Sequence, residues 1–350
     1  MDMFTTRTML GIVQDNEKKA KTFLRDRYFS NRVTYNTEKI DIDLIGPGKR
    51  KLAPFVNPKI GGIVVERDGY KTNSYEAPEV SPMRVTTAED CLKRSPGETV
   101  YSGKSPQARA AEILGKDLRE LNDMIDRLEE KMCAEALFTG KVTVNGEGYS
   151  EVINYWPAET ADQPKTTLAT PWTDTNADPF VDLRAARRHI IQQSGVAPTE
   201  LICSNSTVEA LLSRLKASNM ALDFRRVDLG HIDPQHLPGG VTYWGYLKDS
   251  ALDIYSYDEW YLDENGDEVP MVPEHSALLA SPNVHTTLAY GMVALYKNGE
   301  NSAPHFYEGA RIPDSWVQRA NPAGRIVQIK SRPLPIVNQV NGFHVLVTGD

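Results

Sequence analysis

The sequence predicts an α+β protein. Three observations predict it: one very long amphipathic helix near residues 105–139, a preceding stretch from Val33 to Thr86 with little helical periodicity, and a following region where short strands alternate with capped helices.

In chain order, a short helical candidate lies near Thr6–Asn16, followed by "FLRDRYF", Phe23 to Phe29, which sets aromatic and aliphatic groups among basic ones. "KIDIDLI", Lys39 to Ile45, alternates as a strand should, and "GPGK", Gly46 to Lys49, interrupts it with breakers. Asp68-Gly69 favours a tight turn between two further strands, because glycine and aspartate tolerate positive φ. This region carries few large apolar side chains, and a two-stranded ribbon is marginal alone. An arm that finds its core on a neighbouring molecule would remove that difficulty.

The long helix starts with Ser105 as N-cap and Pro106 at its first position. Leu114, Leu118, Leu121, Ile125, Leu128 and Met132 recur at alternating spacings of four and three, which makes one apolar stripe. Glu112 with Lys116, and Asp123 with Arg127, are i,i+4 pairs expected on the exposed side. Gly140 is the expected stop. The strand "KVTV" follows, and Asn145-Gly146 in "VNGEG" is expected to be the centre of a hairpin turn, with Gly146 at positive φ.

Residues 157–179 are rich in Thr, Pro, Asp and Ala and read as a linker or surface loop. Asp178-Pro179 starts a helix closed by Gly195; "TELICSN", Thr199 to Asn205, is a buried strand; Ser206 caps the next helix with Glu209 in a capping box. Asn265-Gly266 joins two hairpin arms, and the tail from Arg325 supplies strands. The Asn-Gly steps at 145, 265, 298 and 341 show no repeat period and are read as hairpins. The middle part thus reads as a compact α/β or α+β lobe.

Lys and Arg number 39 against 47 Asp and Glu, a net charge of −8, which argues against a protein whose main task is gripping DNA. Cys91, Cys133 and Cys203 form neither a disulfide framework nor a Cys-x-x-Cys pair. The N-terminus lacks a signal peptide's apolar core and no run is long enough for a membrane span, so a soluble, cytoplasmic protein at synthesis is expected.

Candidate chemistry is sparse. His231, Asp233 and His236 in "GHIDPQH" are the best metal group, but Pro234, Pro238 and Gly239 put them on a loop. "DENGDE", Asp263 to Glu268, lacks the full calcium-loop pattern and reads as a wet turn. "GPGKR", Gly46 to Arg50, lacks phosphate-loop spacing, and "VNGEG" lies between strands rather than opening a helix. Ser204 and Ser206 lack a nucleophile elbow, and Cys133 reads as a packing residue beside the apolar stripe. No catalytic, cofactor or metal residue is assigned.

The order of segments, together with "ALFTGKVTVNGEGYSEVINY", "DPFVDL", "YLDENGDEVPMVPEHSALL", "NPAGRIVQIKSRPLPIVNQVNGFHVLV", "TTRTML" and "LAPFVNPKIGGIVVERDG", resembles the major capsid proteins of tailed bacteriophages, specifically the lambda-like major capsid protein E family. The resemblance covers essentially the whole chain. It implies a Hong Kong 97-like bacteriophage major capsid fold with N-terminal arm (1–32), extended E-loop (33–94), long spine helix and first part of the peripheral domain (95–156), a linker and mainly axial domain (157–325), and C-terminal strands (326–350). It also implies self-association into hexamers and pentamers around double-stranded DNA without sequence-specific binding. Scaffolding and portal proteins, and a decoration protein, are the implied partners. No cofactor and no membrane are expected; the implied location is the virion capsid, reached through the host cytoplasm. The residues ahead of Ser105 are taken up by arm and loop, so no large fused scaffold is expected. Two alternatives compete: a hydrolase with a pocket beside the middle lobe, and a phage tail structural protein.

Overall fold

The computed structural model describes residues 9–10, 13, 22–37, 39–45, 55, 70–94, 104–146, 149–157, 163–217, 234–296, 304–319 and 323–349. The chain divides into two compact units, one comprising Met1–Ile40, Tyr75–Met132 and Leu288–Pro335, the other Asp41–Ser74, Cys133–Thr287 and Ile336–Asp350. No described helix is long and apolar enough to cross a membrane.

The first described helix, α1, is Leu24–Tyr28, and β1 (Arg32–Thr34) pairs in parallel with Thr286–Tyr290 in the register Arg32↔Leu288. Strand β2 (Lys39–Ile45) forms as its alternation requires, hydrogen-bonded to β3 (Tyr70–Glu76). Asp68-Gly69 and Gly46–Lys49 lie outside the described residues. The described partner of β3 is therefore β2, across the whole interruption from residue 46 to 69.

Strand β4 (Met83–Thr86) leads into the short helix α2 (Ala88–Leu92), whose Thr87 and Asp90 form a capping box. The long helix α3 runs Pro106–Phe138, 33 residues, about 50 Å at 1.5 Å per residue. Ser105 Oγ accepts from the Ala108 amide at 3.2 Å, the expected cap. In the first unit Leu114, Leu118, Leu121 and Ile125 bury the stripe against Met9, Val13, Val327 and Ile329. The sheet they meet is β4 with β18 (Ile312–Gln318) and β19 (Gly324–Lys330), ordered β18–β19–β4. Leu128, expected in the same stripe, is only half-buried. Glu112 pairs with Lys104 and Lys116 with Glu120, so the expected Glu112–Lys116 pair is replaced by neighbouring ones.

Gly140 ends α3 at φ +66°, and a Cβ there would fall inside the indole of Trp156. Its carbonyl accepts from the Tyr155 amide at 2.8 Å, closing the hairpin of β5 (Lys141–Gly146) and β6 (Tyr149–Asn154) onto the helix end. The expectation for "VNGEG" needs correction. Gly146 pairs with Tyr149 inside the ladder and has no positive φ. Asn145 sits in the strand, where its Oδ1 accepts from Ser150 Oγ at 3.0 Å. A residue whose side chain has a cross-strand partner has no reason to occupy the bend.

In the second unit β7 (Lys165–Thr167), β8 (Glu200–Cys203), β9 (Gln235–Leu237), β10 (Val241–Leu247), β11 (Leu252–Tyr257), β14 (Ser276–Ala280) and β21 (His344–Val347) form a seven-stranded mixed sheet. Its order is β7–β21–β14–β8–β11–β10–β9, with β8 parallel to β11 and antiparallel to β14. Helix α4 (Pro179–Ser194) is capped by Asp178, whose carboxylate accepts from the amides of Phe180 and Val181, and Gly195 closes it at φ +83°. Phe180, Leu183 and Ile190 of α4 join Leu201, Cys203, Ile254, Ala277 and Leu279 of the sheet in one core. Strand β8 is wholly buried, as its sequence predicts.

Three further expectations are revised. Helix α5 spans Asn205–Ala217, and its cap is Ser204, whose Oγ accepts from the Thr207 amide; Ser206 lies inside the first turn and accepts from the His275 amide instead. The "linker" contains β7 and Trp172, which is fully buried and donates from Nε1 to Asp182 Oδ2 at 2.9 Å. Asn341-Gly342 lies in a 3-10 turn (Val340–Gly342), Asn298-Gly299 is outside the described residues, and Asn265-Gly266 alone of the four steps centres a described hairpin. That hairpin joins β12 (Trp260–Leu262) to β13 (Glu268–Pro270), with Gly266 at φ +86°.

Candidate functional site

On α3, Asn122, Asp126 and Glu129 recur at spacings of four and three, parallel to the apolar stripe and one residue beyond Leu121, Ile125 and Leu128. All three are buried. Two arginines from distant segments of the first unit meet this polar stripe. Arg25 of α1 donates from Nη1 to Asp126 Oδ1 at 2.6 Å and to Glu129 Oε2 at 2.9 Å. Arg311, just before β18, donates to both Glu129 oxygens at 2.6 and 2.8 Å, to Asp126 at 2.9 Å and to Asn122 at 3.2 Å. Ser331 Oγ accepts a further bond from Arg311 at 3.3 Å.

Two guanidinium charges thus face the carboxylates of Asp126 and Glu129. The third acid, Glu130, accepts from the amides of Phe23, Leu24 and Arg25 at 3.1, 2.8 and 2.9 Å, which gives the open N–H groups at the start of α1 a charged acceptor. Burial alone would raise the Glu129 carboxyl pKa; Arg311 and Arg25 override that and hold it below the usual glutamate range. Burial opposes the charge of Arg25 and Arg311, yet Glu129 and Asp126 keep both above the ordinary guanidinium value. Burial pushes the neighbouring Tyr290 phenol up, and its oxygen has no hydrogen-bond partner among the described residues.

Chemically this is a lock. Each charge is matched and hydrogen-bonded, and the segments around Arg25 and Arg311, far apart in sequence, are fixed to one helix. Sequence reading missed it because charged residues on a helix are ordinarily placed in water. The signal was present in the spacing of Asn122, Asp126 and Glu129, and in an arginine within the otherwise apolar "FLRDRYF".

The sequence-nominated residues do not converge. His231 and Asp233 lie outside the described residues, and His236 is exposed on β9, its Nδ1 3.1 Å from Thr242 Oγ1. Asp263 accepts from the amides of Asn265 and Asp267 at 2.8 and 2.9 Å, so it organises a turn with its own backbone. Cys133 and Cys203 are buried packing residues, and burial pushes the Cys203 thiol well above its usual value. Among the described residues no group of three or more His, Cys, Asp or Glu could hold a metal. A groove of mixed charge, about 720 Å³, flanks the start of α3, with Arg84, Lys93 and Arg119 beside Asp90, Glu112 and Asp117 in its lining. A second, apolar groove of about 580 Å³ is lined by Ala88, Cys91, Leu114, Val317 and Val327.

The mixed α+β architecture of the described residues is that of a Hong Kong 97-like capsid fold. The crystal structure of a prophage protein of E. coli CFT073, assigned as a capsid protein, matches with a TM-score of 0.69 at 19% identity, covering 98% of this chain and 99% of that one. The chain belongs to the phage major capsid protein E family, whose model matches residues 5–346. It is 26% identical over 348 residues to the major capsid protein of Escherichia phage lambda, and 25% identical over 351 residues to that of Escherichia phage N15, with 98% of each chain covered in both cases. It is therefore a structural protein, a major capsid protein that forms the icosahedral phage shell, and not an enzyme. Neither the hydrolase nor the tail-protein alternative finds support in these relatives.

Proposed function

We propose that the chain builds its shell from pentamers and hexamers, with residues 1–32 as the N-terminal arm and 33–94 as an extended loop over a neighbouring subunit. In this reading α3 is the spine helix, residues 141–155 with part of the C-terminal strands form the peripheral domain, and most of 178–325 forms the axial domain. Scaffolding and portal proteins direct assembly in the host cytoplasm, a decoration protein cements the shell, and DNA is enclosed without sequence-specific contacts. A net charge of −8 suits a container whose genome must move during packaging.

The observation that carries this reading is the pairing of β2 with β3 across residues 46–69, a two-stranded ribbon that needs a surface to lie on. Closed rings satisfy such heterologous contacts without open ends. Replacing residues 46–69 with a short flexible linker should leave a folded, soluble chain that forms no closed shells. Shells at the parental yield would contradict the proposal.

A further inference from the structure

The β12–β13 hairpin carries its apolar side chains outward. Trp260 is 47% exposed and Leu262 68%, and as residues i and i+2 of one strand they share a face. The ribbon has two strands and no third partner among the described residues. Between Asp258 and His275 the sequence holds no lysine or arginine. Asp258 accepts from Asn205 Nδ2 and Trp260 Nε1, Glu259 from the Tyr257 hydroxyl, and Asp263 from its own turn. Glu264, Asp267 and Glu268 remain exposed, with no side-chain partner among the described residues. The surface is a small apolar face rimmed by free negative charge.

The complementary surface exists on the same chain. Along α4, Val181 is 52% exposed, and Arg184 and Arg188 follow it on one face at spacings of three and four. Arg188 is exposed without an ion pair among the described residues. Arg184 lies 3.4 Å from Asp249, with its side chain 53% exposed.

Within one copy no ion pair joins the hairpin acids to the arginines of α4 among the described residues. Asp249 sits in the turn before β11 begins at Leu252, whereas the acidic hairpin leaves after β11 ends at Tyr257. The two ends of β11 lie about 20 Å apart at 3.4 Å per residue. We infer that the apolar, acidic β12–β13 hairpin of one subunit docks on the Val181–Arg184–Arg188 face of α4 in the next copy of this chain. The contact is heterologous, so repeating it about an axis closes a ring. Charge sets the register and the exposed Trp260 and Leu262 supply the buried area. The inference rests on the shell-forming reading and names the surfaces that would join neighbours within it.

Charge reversal tests it. The full-length chain is expressed with the other head genes of its phage, and closed particles are counted by electron microscopy. The reversals E264K/E268K and R184E/R188E, made separately, should each lower particle yield about tenfold or more, since like charges at an interface cost more than the 1.4 kcal/mol that changes an equilibrium tenfold. The chain carrying all four substitutions should recover most of the yield. Circular dichroism of each purified variant should match the parent, which separates lost contact from lost fold. Parental yield from the separate reversals would overturn the inference. So would a four-fold variant no better than the separate ones, or normal shells that lack one other head protein. Failure of the parental chain itself to form particles would instead count against the shell reading.

Discussion

Arg311 and Glu129 meet in a two-pronged pair, Nη1 to Oε1 at 2.6 Å and Nη2 to Oε2 at 2.8 Å, with both residues buried. The pair joins β18's leading end to the middle of α3, and Arg25 adds α1 to the same carboxylate. Such a site adds little net stability over a well-packed apolar one, because both charges lose their water. Its value is geometric, since a misplaced segment would leave a charge stranded.

Removing one partner exposes that asymmetry. Glu129→Ala should destabilise the folded chain by about 3–5 kcal/mol, because two buried guanidinium groups then share Asp126. The double change Glu129→Leu with Arg311→Met should cost less than the sum of the single changes. Urea denaturation of the parent, Glu129→Ala, Glu129→Leu, Arg311→Met and the double variant checks both statements, and additive losses would contradict the coupling.

The end of α3 depends on Gly140 rather than on Gly146. Gly140→Ala should cost about 1–2 kcal/mol from the left-handed backbone alone, plus displacement of Trp156. Gly146→Ala, in open space at negative φ, should fall within about 0.5 kcal/mol of the parent. Equal melting temperatures for the two variants would contradict this assignment.

Trp172 anchors what the composition presented as a linker. Trp172→Ala should cost about 3–5 kcal/mol, the range for deleting a buried aromatic. Trp172→Phe keeps most of the packing but strands Asp182, and should cost about 1.5–3 kcal/mol. Denaturant midpoints measure both, and a neutral Trp172→Ala would show the segment to be peripheral.

The second unit should weaken in mild acid. Burial, helped by His189 with its ring centroid 5.0 Å away, lowers the His344 pKa from 6.5 to about 4. Between those values the unfolded chain binds a proton that the folded chain refuses. Stability from this group is therefore full above pH 6.5 and falls as the pH drops towards about 4. His344→Gln should flatten that part of the curve of unfolding free energy against pH. An unchanged slope would contradict the assignment.

How much was legible follows from these residues. Local rules sufficed where one residue's backbone chemistry decides the outcome: Ser105 and Asp178 as caps, Gly140 and Gly195 as stops, and β8 as a short apolar run. They failed where a partner distant in sequence decides. Asn145 entered a strand because Ser150 faces it, and Gly342 packs against Val284 in a 3-10 turn. Trp172 turned a polar segment inward because Asp182 could receive its N–H. The ion network was written in the spacing of α3, but the sequence alone does not say that Arg25 and Arg311 arrive there. The protein's role was legible through the order of its segments rather than through any site.

The most direct measurement is electron cryo-microscopy of particles from cells expressing the full-length chain with the other head genes of its phage. Closed icosahedral shells whose pentamers and hexamers trace as this chain, with α3 continuous and Arg311 on Glu129 in every subunit, are the predicted result. A chain that stays monomeric under those conditions, or is absent from the shell, would contradict the account.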